Sequence, residues 1–407
     1  MLNSLNKQSR LKDYFNNFSN KNISEVNLDF KDFYKRSFYS PRNQKTDELM
    51  QHYSFLSTKE NKFISDSTLI VDSLVGKVQN LSKDAFIVAD RRALEFVNMH
   101  YNFLINEKQI CYIDEIKSGK NLKNIIQEVS AGKYSHLLAF GGGKTLDFSK
   151  FISLKANIKL ISIPSSLATH VYASPKIHAL SPIKELGFKT TIDGESSHLS
   201  LLDLTILDNL FKKNSRLILS GFGDLMAFIN ARHDWKQSSK RGKERYSVFV
   251  DKSIDFIIST LEKIDIKKPL KEWIEDYVFI QCLLCNITDW VGSAPASGAE
   301  HLFAKCIENE VSYPPLHGEN VALGVLIFSY IRNKDIDKVQ SLLQKFKISN
   351  SISNLNLNKN SIISALSMSL NEGIKKNRYT ILNDINNSYD FFERTINLMI
   401  SEKLLQE

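Results

Sequence analysis

Long apolar runs are missing from this chain of 407 residues. No stretch approaches the roughly eighteen apolar residues that cross a bilayer as a helix, so membrane insertion is not expected. The opening segment MLNSLNKQSRLKDYFNNFSN lacks the apolar core of a secretory signal, which makes a cytoplasmic location the expectation. Cysteine is scarce too. Cys111, Cys282, Cys285 and Cys306 make no secreted disulfide pattern. Cys282 and Cys285 form a CxxC, but it lies within the apolar helical run Tyr277 to Trp290 with no second CxxC to complete a zinc site, so buried packing is expected of it. Neither the Walker pattern GxxxxGK(S/T) nor the Rossmann pattern GxGxxG occurs.

What is present suits a globular enzyme with ample core. The length argues for two or three domains, and 43% apolar content is ordinary. The net charge is +8, yet the lysines are scattered and no basic face with interleaved aromatics is visible, so nucleic-acid binding is not expected. A basic surface would steer a small anionic substrate. Residues 1–60 read as a polar, aromatic-dotted N-terminal extension. From 61 to 212, β-rich runs alternate with helical ones: Ala85 to Ala89, Ile110 to Ile113, Leu137 to Phe140, Leu160 to Pro164 and Leu201 to Leu207. That alternation predicts an α/β domain, a Rossmann-like parallel sheet covered on both faces. From 213 to 407 the patterns are helical, broken at Lys268-Pro269 and Tyr313-Pro314-Pro315, which predicts an all-α domain.

Two places carry chemistry. The first is the run His136 to Phe140 ending in Gly141-Gly142-Gly143-Lys144-Thr145 and continuing in helical register. Strand, glycine turn and helix bring backbone close to a pyrophosphate at a helix N-terminus, so Gly141, Gly142, Gly143, Lys144 and Thr145 are expected to bind a dinucleotide. Asp90 closes the run Ala85 to Ala89, where a carboxylate accepts both ribose hydroxyls of NAD and repels the extra phosphate of NADP; Arg91 and Arg92 follow and would instead neutralise it. NAD is favoured and NADP stays open. The second place is GFGDLMAF (221–228), SGAEHLF (297–303) and LHGENVALG (316–324), which supply Asp224, His301 and His317. A lone histidine is more often a core residue, but three N/O ligands that leave a coordination position open make a metal site of catalytic type. Zn²⁺ is favoured, with Ni²⁺ or Fe²⁺ open, because mixed Asp/His ligation does not choose among them.

Glycine turn and triad, in this order, resemble the superfamily of iron-containing alcohol dehydrogenases, sn-glycerol-1-phosphate dehydrogenases and 3-dehydroquinate synthases, over about residues 62–330. The glycerol-1-phosphate dehydrogenase branch looks most similar. Its glycine turn runs into an Asp and a Lys, matched by Asp147 and Lys150; its "VPTxxSxDGxASP" loop is matched by Ser162 to Pro175, and its "GxGDxxAxxxAxxDW" helix by Gly221 to Trp235. The resemblance implies a dehydroquinate synthase-like fold, catalytic roles for Asp224, Asp147 and Lys150, and cofactor contacts from Ser165, Ser166 and Ser174. Two positions depart from the branch. The loop "HD" reads Thr169-His170, and "EHxxxH" reads Glu300-His301 with Lys305 in the last place. LATHVYAS (167–174) also looks like the "LLAQVDAS" loop of dehydroquinate synthases.

The expected activity is metal-assisted hydride transfer between a nicotinamide and a phosphorylated or otherwise anionic polyol or ketone, with His170 or Lys305 relaying a proton or binding the anionic group. A redox-neutral cyclase or phosphate lyase using bound NAD, and a non-catalytic homologue, are the alternatives. A homo-oligomer, dimer or higher, is expected. His178, His198 and His233 have no spacing argument and read as ordinary packing residues.

Overall fold

The computed structural model describes residues 44–56, 61–65, 67–101, 109–188, 191–386 and 388–407. Most of the expected N-terminal extension lies outside them; α1 (Gln44–His52) is its described end. The strands are β1 (Lys62–Phe63), β2 (Thr68–Val71), β3 (Ala85–Ala89), β4 (Ile110–Tyr112), β5 (His136–Gly141), β6 (Lys159–Pro164), β7 (Lys176–Ile177), β8 (Ile192–Asp193) and β9 (Leu199–Asp203). Between them run α2 (Val78–Ser82), α3 (Arg91–Tyr101), α4 (Gly119–Ala131), α5 (Gly143–Ala156) and α6 (Ser181–Glu185). After β9 come α7 (Leu204–Asn214), α8 (Arg216–Lys240), α9 (Val248–Lys263), α10 (Leu270–Val291), α11 (Ala299–Glu310), α12 (His317–Arg332), α13 (Ile336–Lys345), α14 (Lys359–Lys375) and α15 (Tyr389–Ser401). Among the described residues no strand follows Asp203. The expected architecture, a Rossmann-like parallel sheet followed by helices, is the observed one.

Seven strands form one sheet in the order β1-β2-β9-β6-β5-β3-β4, parallel throughout except at the β1–β2 edge. Every residue of β3 and β5 is buried, as a sheet covered on both faces requires. Successive side chains then feed two separate cores. Phe86, Val88, Leu137 and Ala139 join the core that continues into the helices, whereas Ala85, Ile87, Leu138 and Phe140 join the one under α1 and α3. His136 begins β5 beneath α1, fully buried. Its Nε2–H donates to the Leu81 carbonyl at 2.8 Å while Nδ1 meets the Ser135 hydroxyl at 2.8 Å, and burial pulls its imidazole down to about 4.

One expected strand ends early. Leu201 to Leu207 reads as a single apolar run, but the chain turns helical at Leu204. The cause is Asp203, whose Oδ1 accepts the Ile206 N–H at 3.0 Å as a helix cap and whose Oδ2 accepts the Leu74 N–H and the Tyr101 hydroxyl at 2.7 and 2.6 Å. The proline breaks fall as expected: Pro269 precedes α10 and Pro315 lies shortly before α12. Cys282 and Cys285 are buried in α10, and burial pushes the Cys285 thiol well above its usual range, which fits packing.

Helices α8 and α12 cross with almost no side chain between them. A Cβ at Gly223 would stand 2.0 Å from the Gly318 carbonyl oxygen, and one at Gly318 would stand 1.8 Å from that of Ser220. The contact is tied at its edge by Arg216, which forks onto the two oxygens of Glu319, one at 2.7 Å. Glu319 also accepts the Leu316 N–H at 2.9 Å, so the same carboxylate caps α12.

Candidate metal centre

The glycine crossing sets Asp224, one residue beyond Gly223 in the buried middle of α8, beside His317, the first residue of α12. The start of α11 adds His301. Asp224 Oδ1 lies 3.1 Å from His301 Nε2 and 3.8 Å from His317 Nε2. Ligands each about 2.0–2.2 Å from one ion stand up to about 4.4 Å apart, so both separations suit a shared ion. The three side chains form a cluster whose ligand atoms all lie within 4.8 Å of one another.

The outer nitrogens are held by carboxylates. His301 Nδ1–H donates to Glu300 Oε1 at 3.1 Å, and His317 Nδ1–H donates to Glu308 Oε1 at 2.7 Å. Each bond turns Nε2 toward Asp224, where an ion in place of the Nε2 proton would meet its lone pair. Electrostatics agree. Burial would raise the Asp224 carboxyl, but hydrogen bonds from His170 and His301, with the charge of His170 and His317, hold it well below the usual range. Burial opposes charge on His301, yet Asp224 and Glu300 push its imidazole up to about 9. Three convergent donors with satisfied outer partners fit a divalent ion. Sequence reasoning missed Glu308. It lies on α11 two turns beyond His301, and no motif marks it.

His170 reaches the same cluster. Its Nδ1 lies 3.1 Å from Asp224 Oδ2, the oxygen turned away from the other two imidazoles. The loop that carries it is gripped from below by Lys150, whose ammonium donates to the carbonyls of Val171, Ser174 and Lys176, the first two at 3.3 and 3.2 Å. Asp147 Oδ1 stands 3.4 Å from that ammonium. Both side chains are buried, and desolvation pushes the pair toward neutrality, raising Asp147 and lowering Lys150. Asp147 and Lys150 thus lie buried beneath the loop that carries His170, where they hold it in place. Lys305 is not bare either; it pairs with Glu372 of α14.

The glycine turn lies at the N-terminus of α5, at the end of β5. A Cβ at Gly142 would meet nothing within 4 Å, whereas one at Gly143 would touch Thr169 Oγ1 at 3.0 Å. The turn is thus open at Gly142, as a dinucleotide would require. Lys144 is exposed beside it, while Thr145 is buried against Gly141. Of the expected serines, Ser165 is half-buried next to the turn, its N–H on the Gly141 carbonyl at 3.0 Å. Ser166 donates to the Leu217 carbonyl at 2.6 Å, and Ser174 accepts the Lys176 N–H at 3.1 Å, so these two hydroxyls serve the loop. Asp90 caps α3 with one oxygen, accepting the Ala93 N–H at 3.0 Å. His198 accepts the Leu160 N–H at 3.0 Å and His233 pairs with Asp335 at 3.3 Å, both away from the cluster's contacts.

Residues 71–207 match the family model of iron-containing alcohol dehydrogenase. The chain is 28% identical to the glycerol-1-phosphate dehydrogenase [NAD(P)+] of Hyperthermus butylicus, over 67% of this chain and 76% of that one. It is 27% identical to the enzyme of the same name from Methanosphaera stadtmanae, over 77% and 88%. In fold it is similar to the glycerol dehydrogenase of Schizosaccharomyces pombe, with a TM-score of 0.61, 16% identity, and coverage of 82% and 89%. The resemblance expected from the motifs is thus upheld, and the fold is shared with solved structures of glycerol dehydrogenase and iron-containing alcohol dehydrogenase. No described helix is long and apolar enough to cross a membrane.

Proposed function

We propose that this chain is a metal-dependent, NAD(P)-linked dehydrogenase of the glycerol-1-phosphate dehydrogenase type, interconverting an anionic polyol and the corresponding ketone. The observation that carries the reading is the convergence of Asp224, His301 and His317 from three helices, each histidine tethered by a carboxylate. Asp224, His301 and His317 would hold a divalent ion that would supply a Lewis acid for an alcohol or carbonyl oxygen, and the glycine turn would hold a nicotinamide that would supply the hydride chemistry. Zn²⁺ is the favoured ion, with Ni²⁺ or Fe²⁺ open, since mixed Asp/His ligation does not choose among them.

The chain's own groups divide the remaining work. Asp224 Oδ1, His301 Nε2 and His317 Nε2 face one another as ligands, while Glu300 and Glu308 keep both rings turned inward. His170 donates from Nδ1 to Asp224 Oδ2, which leaves Nε2 as a base able to take a hydroxyl proton or return it. Lys150 and Asp147 hold the loop that sets the His170 ring. Asp90 keeps one oxygen for a ribose. Arg91 stacks on Tyr112 at 3.8 Å and pairs with Asp114 and Glu115, so it is engaged elsewhere than at an NADP phosphate, and NAD is the favoured partner.

The test is metal-loaded protein given glycerol 1-phosphate or dihydroxyacetone phosphate with each nicotinamide, followed by absorbance of the reduced cofactor and by phosphate release. Stoichiometric absorbance change is expected. Phosphate release without net reduction would replace this reading with a redox-neutral lyase. Elemental analysis of His301→Ala and His317→Ala should show the metal lost; full retention in both would remove these ligands.

A further inference from the structure

Asp234 lies roughly three turns beyond Asp224 on α8, 2% exposed, and its one carboxylate ties together all three helices that bear the cluster. Its Oδ2 accepts the Ala299 N–H, the first of α11, at 3.0 Å, and its Oδ1 pairs with Arg332, the last residue of α12. The same Oδ1 accepts the Ile381 N–H at 2.7 Å, which draws in the segment after α14. Arg378 of that segment reaches back to the turn before α11, donating to the Ser297 carbonyl and, at 2.6 Å, to the Ser293 hydroxyl. Burial opposes the charge of Arg378, while Glu244, Glu300 and Asp234 favour it. Between the two grips sits Gly298. A Cβ there would lie 2.5 Å from Asp234 Oδ2 and 3.0 Å from the Ala231 Cα, so α11 starts as close to α8 as backbone permits. The Gly298 N–H donates to Glu300 Oε1 at 2.6 Å, and that oxygen accepts the His301 Nδ1–H at 3.1 Å. An unbroken path therefore leads from Asp234 and Arg378 through residues 297–299 and Glu300 to one imidazole of the cluster.

We propose that Asp234, supported by Arg378, is the positioning residue of His301: it fixes the start of α11 and so the direction from which the third ligand enters the centre. Neither residue is placed to touch ion or substrate. The role rests on the reading of Asp224, His301 and His317 as metal ligands. Asp224 and His317 are set independently of it, by the glycine crossing of α8 and α12. A carboxylate is required at position 234 because donors from Ala299, Ile381 and Arg332 converge on its two oxygens, and an amide would set its own N–H groups against at least one of them.

The experiment is competition of the Zn²⁺- and Co²⁺-loaded full chain against a chromophoric chelator, in the wild type, Asp234→Asn and Arg378→Lys, with urea unfolding of each protein alongside. Asp234→Asn should weaken Zn²⁺ about ten- to a hundredfold, as loss of an outer partner does. Arg378→Lys keeps the charge but cannot span both oxygens, and should weaken the ion in the same direction. The visible bands of the Co²⁺ protein should shift in both variants, since they follow the number and geometry of the ligands. A merely structural role would lower the urea midpoint and leave the affinity and bands of the folded protein as they were; that outcome would overturn the positioning role. If Asp234→Asn does not fold, Arg378→Lys decides by the same two readouts. A wild type that binds neither ion would instead remove the metal reading, and the role with it. No turnover is needed, so a protein that binds the ions in the expected pattern but reduces no nicotinamide would keep the role of Asp234 while losing the dehydrogenase reading.

Discussion

Glu308 shows how much of this site depends on residues that never touch substrate. Its 2.7 Å bond to His317 Nδ1 turns that half-exposed ring so that Nε2 faces Asp224. Glu308→Gln keeps the shape and an acceptor oxygen but loses the charge, so metal affinity should fall roughly ten- to a hundredfold, the usual cost of such an outer partner. Competition titration with a chromophoric chelator measures it, and unchanged affinity would make Glu308 a surface acid. Asp224, His301 and His317 were legible because each stands beside glycines in a recognisable stretch. Glu308 was not, since a carboxylate nine residues before His317 across a turn has no signature. The motif that marks Asp147 and Lys150 does not say which way they face, and both turn inward beneath the loop.

At the scale of elements, the glycine crossing of α8 and α12 governs the site. Gly318→Ala would force a methyl to within 1.8 Å of a backbone oxygen that has no side-chain freedom to yield. The helices must part, which should cost about 1–3 kcal/mol or more as overpacking does. Metal should be lost together with stability, because Asp224 and His317 sit on opposite sides of that contact; urea unfolding and elemental analysis read the two effects. A stable, fully metallated Gly318→Ala protein would show that the crossing does not set the ligand spacing. The parallel sheet was readable from apolar runs separated by helical patterns. Leu201 to Leu207 misled because an apolar run fits strand and buried helix alike, and the cap that decides, Asp203, also depends on Leu74 and Tyr101 far away in sequence.

Over the whole molecule, stability should carry the mark of His136. Its pKa falls from about 6.5 unfolded to about 4 folded, so the fold holds it neutral and the unfolded chain takes up the proton first. The contribution is complete above about pH 6.5 and is lost as pH falls toward 4, up to about 3 kcal/mol in all. Unfolding of wild type and His136→Gln between pH 7 and 4 checks this, and parallel curves would remove His136 as the cause.

The backbone contact between α8 and α12 also bears on which ions the centre accepts. Those helices already touch, so the gap between Asp224 and His317 has a lower limit that side-chain repacking cannot change. His301 comes from α11, whose start also meets α12 through backbone, a Cβ on Gly324 lying 3.0 Å from the Glu300 carbonyl oxygen. All three ligand-bearing helices are therefore held at backbone contact next to the centre. A centre with so little room to widen should discriminate against large, oxygen-seeking ions such as Ca²⁺, whose ligand distances reach about 2.6 Å, while admitting the smaller transition ions.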